Sequence, residues 1–238
     1  MIEFKLENKK INLKNNPKVF RPTKTSKFLI DSVIKDYKFN KNSILDLGCG
    51  NGVIGISIIK TIKKYKNFYF SDLSQNAVKD VKENLKFNNI NSKNIKIIQS
   101  DIFDSIDFHD FDLIINDVSG VSEKLIDLAP WFKNVPCASG PDGTNLTIKV
   151  LKNFKRYLNK NGKLYFPIIS LSNEKKIFRY LKKNKIKYKI ISENDWPLPK
   201  ELYKFIDILN KFKLKKYINF KKKFNLLLAN TKIVRVSN

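Results

Sequence analysis

The sequence predicts a doubly wound α/β fold: a mostly parallel seven-stranded sheet, helices on both faces, and an antiparallel last strand. Three observations predict it. Apolar strand-like runs alternate with helix-period segments along most of the chain, which is the pattern of a parallel sheet. The run Ile44-Leu45-Asp46-Leu47-Gly48-Cys49-Gly50-Asn51-Gly52-Val53-Ile54-Gly55 joins a strand to a helix through closely spaced glycines. Finally, polar residues recur just where successive strands end, the edge at which open α/β sheets bind ligands.

The elements are taken in order. Residues 1–18 are polar and basic, and read as a short strand or loose lead-in. In Val19-Phe20-Arg21-Pro22-Thr23-Lys24-Thr25-Ser26, Thr25 or Ser26 is expected to cap a helix with Phe28, Leu29, Val33 and Ile34 on its apolar face. Strands are expected at 43–47, 67–71, 95–98, 111–115, 163–169, 188–191 and 224–236. The helix after the glycine turn is expected over about 52–65, one capped by Ser74 carries Ala77, Val78, Val81 and Leu85, and another spans 146–158. Asn173 to Lys183 is a further helix, and a basic, helical insertion is expected at about 195–223. Residues 1–42 then form a lead-in that includes this first helix, and residues 43–238 one α/β domain.

Composition narrows the function classes. The chain has 238 residues, enough for one sizeable α/β domain, with 42% hydrophobic residues and 18 Phe. No apolar run approaches a membrane span, and the first residues lack a signal-peptide pattern. Two cysteines, Cys49 and Cys137, and one His give neither a disulfide framework nor a metal set, and suit a reducing cytoplasm. The net charge of +25 invites a nucleic-acid partner. Richness in Lys, Asn, Ile and Phe with few Arg is also what AT-rich codons produce, so the charge leaves a lysine-rich contact surface and a merely solvated one both open.

Chemistry is concentrated at the strand ends. Glycines permit a tight turn and close approach of backbone to a ligand. Asp46 at the strand tip disfavours a phosphate and favours a cation. Asp72 lies 26 residues further on, at the next strand tip, where a carboxylate can accept from both ribose hydroxyls. Asp101 followed by Ile102 suits an adenine, through the exocyclic amine and a ring face. An adenosine carrying a positive charge is S-adenosylmethionine.

At these residues the chain resembles the class I S-adenosylmethionine-dependent methyltransferases. More narrowly, it is similar to the release-factor glutamine and "small domain" ribosomal-RNA methyltransferase group, with their Rossmann-like sheet. The resemblance runs from about 19 to 170. It rests on Val19-Phe20-Arg21-Pro22 with Thr25, Asp46 to Gly52, Asp72-Leu73-Ser74-Gln75-Asn76-Ala77-Val78, Gln99-Ser100-Asp101-Ile102-Phe103, and Gly140-Pro141-Asp142-Gly143. It implies cofactor contacts from Pro22, Thr25, Asp46, Gly48, Cys49, Gly50, Asn51, Gly52, Asp72, Leu73, Asp101, Ile102 and Asn116.

One segment departs from that group. Where it carries Asn-Pro-Pro and an aromatic, this chain has Asp117-Val118-Ser119-Gly120. A neutral amide has become a carboxylate, and the stacking ring is gone. Asp117 is the first candidate to accept an acceptor's proton, with Ser119 and Glu123 as weaker neighbours. Trp131, Phe132 and Trp196 can wall an acceptor pocket or simply pack. The expected activity is methyl transfer to nitrogen or oxygen. A macromolecular acceptor (RNA or protein), a small molecule, and a non-catalytic binding module all remain open.

Overall fold

The computed structural model describes residues 1–7, 9–62, 64–118, 120–129, 135 and 137–238. An N-terminal hairpin pairs β1 (Ile2–Lys5) with β2 (Lys10–Leu13), so the lead-in is ordered as two strands. Helix α1 (Lys24–Asp36) follows. Its N-cap is Thr23, not Thr25 or Ser26. The Thr23 hydroxyl accepts from the Thr25 amide at 3.2 Å, and Ser26 Oγ accepts from the Thr23 amide in a capping box.

The main sheet alternates with helices. Its parallel part contains β3 (Ser43–Leu47), β4 (Asn67–Asp72), β5 (Ile95–Gln99), β6 (Phe111–Asn116) and β7 (Leu158–Ile169). Then come β8 (Tyr188–Pro197), the three-residue β9 (Lys221–Lys223) and β10 (Leu226–Ser237). The spatial order is β5-β4-β3-β6-β7-β10-β8. β10 runs antiparallel to both β7 and β8, so the expected antiparallel last strand is present. β9 adds an eighth strand alongside the start of β10.

Helices α2 (Val53–Thr61), α3 (Gln75–Phe87), α4 (Glu123–Ile126), α5 (Asn145–Asn153), α6 (Glu174–Lys183) and α7 (Ile206–Leu214) complete the chain. Several ends differ from the sequence reading. α2 stops at Thr61 because Ile62 turns extended, with its amide still bonded to Ile58. The last turn of α5 tightens into a 3-10 segment at Phe154–Arg156. β7 starts at Leu158, with the Asn161-Gly162 turn absorbed as a shift of register against β6. β8 continues to Pro197 because β10 offers a partner that far, so the basic insertion begins after it.

Two cores fill the sheet faces, one around Leu45, Ile114, Phe154 and Phe166 and the other around Leu29, Ile44, Phe70 and Tyr165. A third lies at the end where the parallel strands finish. There Leu198, Leu202, Leu209, Ile218 and Phe220 of the insertion pack on Val121, Leu125 and Leu171.

One buried side chain ties three segments together. Asn84 of α3 accepts from the Lys14 amide at 2.7 Å and donates to the Asn51 carbonyl in the glycine turn at 2.8 Å. Replacing it by Ala leaves both backbone groups unpaired, each costing about 1–3 kcal/mol. Asn84→Ala is therefore expected to lower stability by about 2–4 kcal/mol, read as an earlier urea midpoint with unchanged slope.

Candidate functional site

The site is built at the C-terminal ends of β3, β4, β5 and β6. Register places Leu47 opposite both Ser71 and Asn116, so Asp46, Asp72 and Asp117 share one edge. The turn after β3 is made by three residues with positive φ: Gly48 at 68°, Gly50 at 53° and Gly52 at 81°. They serve different ends. A methyl group on Gly48 would overlap Val118 Cγ1, and one on Gly52 would crowd Val81 and Ile56. At Gly50 nothing lies within 4 Å of where a Cβ would stand. Its backbone thus borders open space, a cradle that a ligand can approach. The turn is fixed by the Cys49 amide on the Ser71 carbonyl (2.9 Å) and the Gly52 amide on the Cys49 carbonyl (2.8 Å).

Three carboxyls converge beneath and beside this turn. Asp46 is fully buried; its Oδ2 accepts from the Gly55 amide at 2.8 Å, while Oδ1 has no partner among the described residues. Burial, and then the nearby Asp117 and Asp72, push its pKa up to about 8. Asp72 accepts from the Gly50 amide through Oδ2 and from the Ser74 amide through Oδ1, each at 2.8 Å. Burial raises its pKa against the pull of those two bonds. Asp117 accepts from Ser26 Oγ at 2.9 Å, and burial drives its carboxyl up to about 7. Close like charges in a desolvated setting hold protons back until a cation arrives.

The remaining sequence candidates fall around this centre. Asn116 is buried and its Oδ1 accepts from the Val118 amide at 3.3 Å. Asn51 is buried, with Oδ1 receiving the Val53 amide. Cys49 is buried, and burial together with Asp46 and Asp72 raises its thiol pKa, so it fills space. Leu73 stands 63% exposed on the same rim, an unusual setting for a large apolar side chain. Pro22 and Thr25 flank the cap of α1, whose Ser26 reaches Asp117.

Asp101 is arranged differently from the other acids. Its carboxylate is ion-paired to Lys149 Nζ of α5 at 2.8 Å. Ile102 beside it has φ of 56° and packs its side chain into the core. A β-branched residue in that region is strained. Ser100 Oγ braces the turn by donating to the Ile102 carbonyl and accepting from the Ser105 amide.

Glu123 is committed elsewhere: Oε1 accepts from the Gly140 amide at 2.8 Å, which ties α4 to the Gly140-Gly143 turn. Trp196 packs in the third core and donates Nε1–H to Thr231 Oγ1 at 2.9 Å. Ser119, Trp131 and Phe132 lie outside the described residues.

Sequence reasoning missed Ser26 and Lys149 as partners of these acids. Ser26 did carry a signal, since it stands three residues after Thr23 at capping-box spacing. Lys149 carried none, being one lysine among many.

Comparison with known proteins follows the same lines. Residues 10–117 match the family described as the methyltransferase small domain. A chain of Methanocaldococcus jannaschii, provisionally named a protein N5-glutamine methyltransferase, is 31% identical over 172 residues, covering 72% of this chain and 83% of its own. The release factor glutamine methyltransferase of Thermodesulfovibrio yellowstonii is 30% identical over 166 residues, covering 66% of this chain and 58% of its own. Among solved structures, the ribosomal protein L11 methylase of Lactobacillus delbrueckii subsp. bulgaricus superposes with TM-score 0.57 at 16% identity, over 96% of this chain and 86% of that one. With the doubly wound sheet, the glycine turn and these matches together, the chain belongs to the methyltransferase small domain family and is a methyltransferase.

Proposed function

We propose that this methyltransferase takes its methyl group from S-adenosylmethionine and delivers it to a nitrogen or oxygen of a macromolecule. The observation that carries this reading is the group of three acids around an open glycine turn. Asp46, with one oxygen unpartnered, and Asp72, beside the open face of Gly50, suit a ligand that combines an adenosine with positive charge. Asp72 would take the ribose hydroxyls and Leu73 would cover a face of the adenine. Asp101 would meet its amine only by sharing its carboxylate with Lys149. Bound there, S-adenosylmethionine supplies a methyl group on a sulfonium, ready for in-line attack.

The chain's own part is positioning and proton handling. Asp117, beside the turn, accepts the proton that an acceptor N–H or O–H loses. A carboxyl raised to about 7 is about half protonated at neutral pH before a cation binds, and its ionised form is basic enough for that work. Ser26 donates to Asp117 Oδ2 and so orients it, which makes α1 the covering element of the site. The names of the relatives favour a macromolecular acceptor, both pointing to glutamine in proteins. Asp117 stands where that group carries an amide, so the acceptor group itself is expected to differ from theirs. The test is transfer of tritiated methyl from S-adenosylmethionine into a fractionated cell extract. Label is expected in the high-mass fraction; label confined to small molecules would contradict the macromolecular acceptor.

A further inference from the structure

The short hairpin β9–β10 carries features that the methyl-transfer site does not use. Residues 211–223 hold seven lysines and no acid. Lys211, Lys215, Lys216 and Lys221 to Lys223 are all exposed. Lys221 reaches Asp195 at 3.4 Å, and Lys213 Nζ donates to the Phe220 carbonyl. Among the described residues, Lys215, Lys216, Lys222 and Lys223 have no ion pair.

The hairpin tip is unusual. Lys223 pairs with Leu226, so Phe224 and Asn225 form a two-residue turn, with φ of 46° and 59°. Positive φ at both positions favours Asn, Asp or Gly. A Phe at the first is strained, because its Cβ crowds the following carbonyl oxygen. The ring is not buried in return: Phe224 is 87% exposed, with Lys223 Nζ above its ring at 5.4 Å.

Its place in the sheet is equally telling. Leu228 pairs with Pro197 of β8 and with Lys221 of β9, so β9 must lie on the other side of β10, in line with β7. β7 is the neighbour of β6, the strand that leads into Asp117. Thr231 marks the end of β7, so the tip extends about 20 Å beyond the edge that carries the acids.

We propose that the β9–β10 hairpin is a single-stranded RNA contact, in which Phe224 stacks on an unpaired base and the lysines of residues 211–223 follow the phosphates. An exposed ring held out by a strained turn and surrounded by unpaired ammonium groups has the two parts that such binding needs. It deepens the macromolecular reading of the site, but RNA binding is measurable without methyl donor, so failure of transfer does not decide it.

The test uses the full chain and a fluorescent 12-nucleotide single-stranded RNA, followed by anisotropy at several salt concentrations. Combining Lys221→Ala, Lys222→Ala and Lys223→Ala is expected to reduce the slope of log affinity against log salt by about 2. Phe224→Ala is expected to weaken binding about 10-fold with the slope unchanged. Phe224→Gly relieves the turn, so it should raise Tm by about 2–4 °C while still weakening RNA binding. A polyglutamate peptide serves as the protein-like probe, and its binding should not respond to Phe224→Ala. No RNA binding by the parent chain, or equal loss of both probes in Phe224→Ala, would overturn the proposal.

Discussion

Asp117→Ala is expected to reduce turnover by about 10²–10⁴-fold while leaving cofactor affinity within a few-fold of the parent. Asp117 sits beside the glycine turn, and among the described residues its side chain accepts a hydrogen bond from Ser26. Removing the carboxyl deletes the proposed proton acceptor next to the acids proposed to face the cofactor. It removes little structure. Ser26 keeps its place in the capping box of α1, and a desolvated acid near two others is lost from the edge. The stability change is therefore expected to stay within about 1 kcal/mol. A merely turn-capping Asp117 would show the opposite pattern, with lower stability and intact turnover. Steady-state kinetics with an identified acceptor, together with thermal unfolding, separate the two.

Asp72→Ala is expected to weaken S-adenosylmethionine binding by about 100-fold. Its carboxylate holds the amides of both Gly50 and Ser74, so its loss frees the residue whose open face borders the cradle and also the cap of α3. Charge-assisted bonds of this kind contribute about 1.5–3 kcal/mol each. Calorimetry on the variant measures the loss, and affinity equal to the parent would contradict the assignment.

The same acids set a pH dependence. Asp46 and Asp117 have pKa values raised to about 8 and about 7, so in the ligand-free chain the first is mostly and the second about half protonated at neutral pH. A cation favours their ionised forms. Binding must then release protons, and affinity should rise as pH climbs from 6 through 8. Calorimetry in buffers of different ionisation enthalpy reads that release directly.

The ligand edge was legible in the sequence for a physical reason. Glycine spacing and acids at strand ends are local signals, and a parallel sheet brings successive strand ends together without further information. The carboxyl set at Asp46, Asp72 and Asp117 follows from that. What was not legible depends on contacts between distant segments. Ser26 meets Asp117 across 91 residues, and Lys149 meets Asp101 across 48. The lead-in looked loose because each of its strands has four residues, too few to show alternation; Asn84 of α3 and Asn88 at its C-cap secure it from outside. The extension of β8 to Pro197 likewise depends on β10, which lies far along the chain. The insertion read as helical and basic does contain a helix, yet its densest charge ends in a strand and turn. Lysines carry no period by which a hairpin can be told from a helix end.

The central claim is that Asp117 receives the acceptor's proton, and a pH profile of single-turnover methyl transfer tests it most directly. At saturating donor and acceptor, the rate should rise with pH to a plateau with a midpoint at or below 7, since burial brings this carboxyl up to about 7 and the bound cation favours its ionised form. Asp117→Asn should transfer slowly and without that rise. A flat profile in the parent chain, or an Asn variant as fast as the parent, would contradict the account.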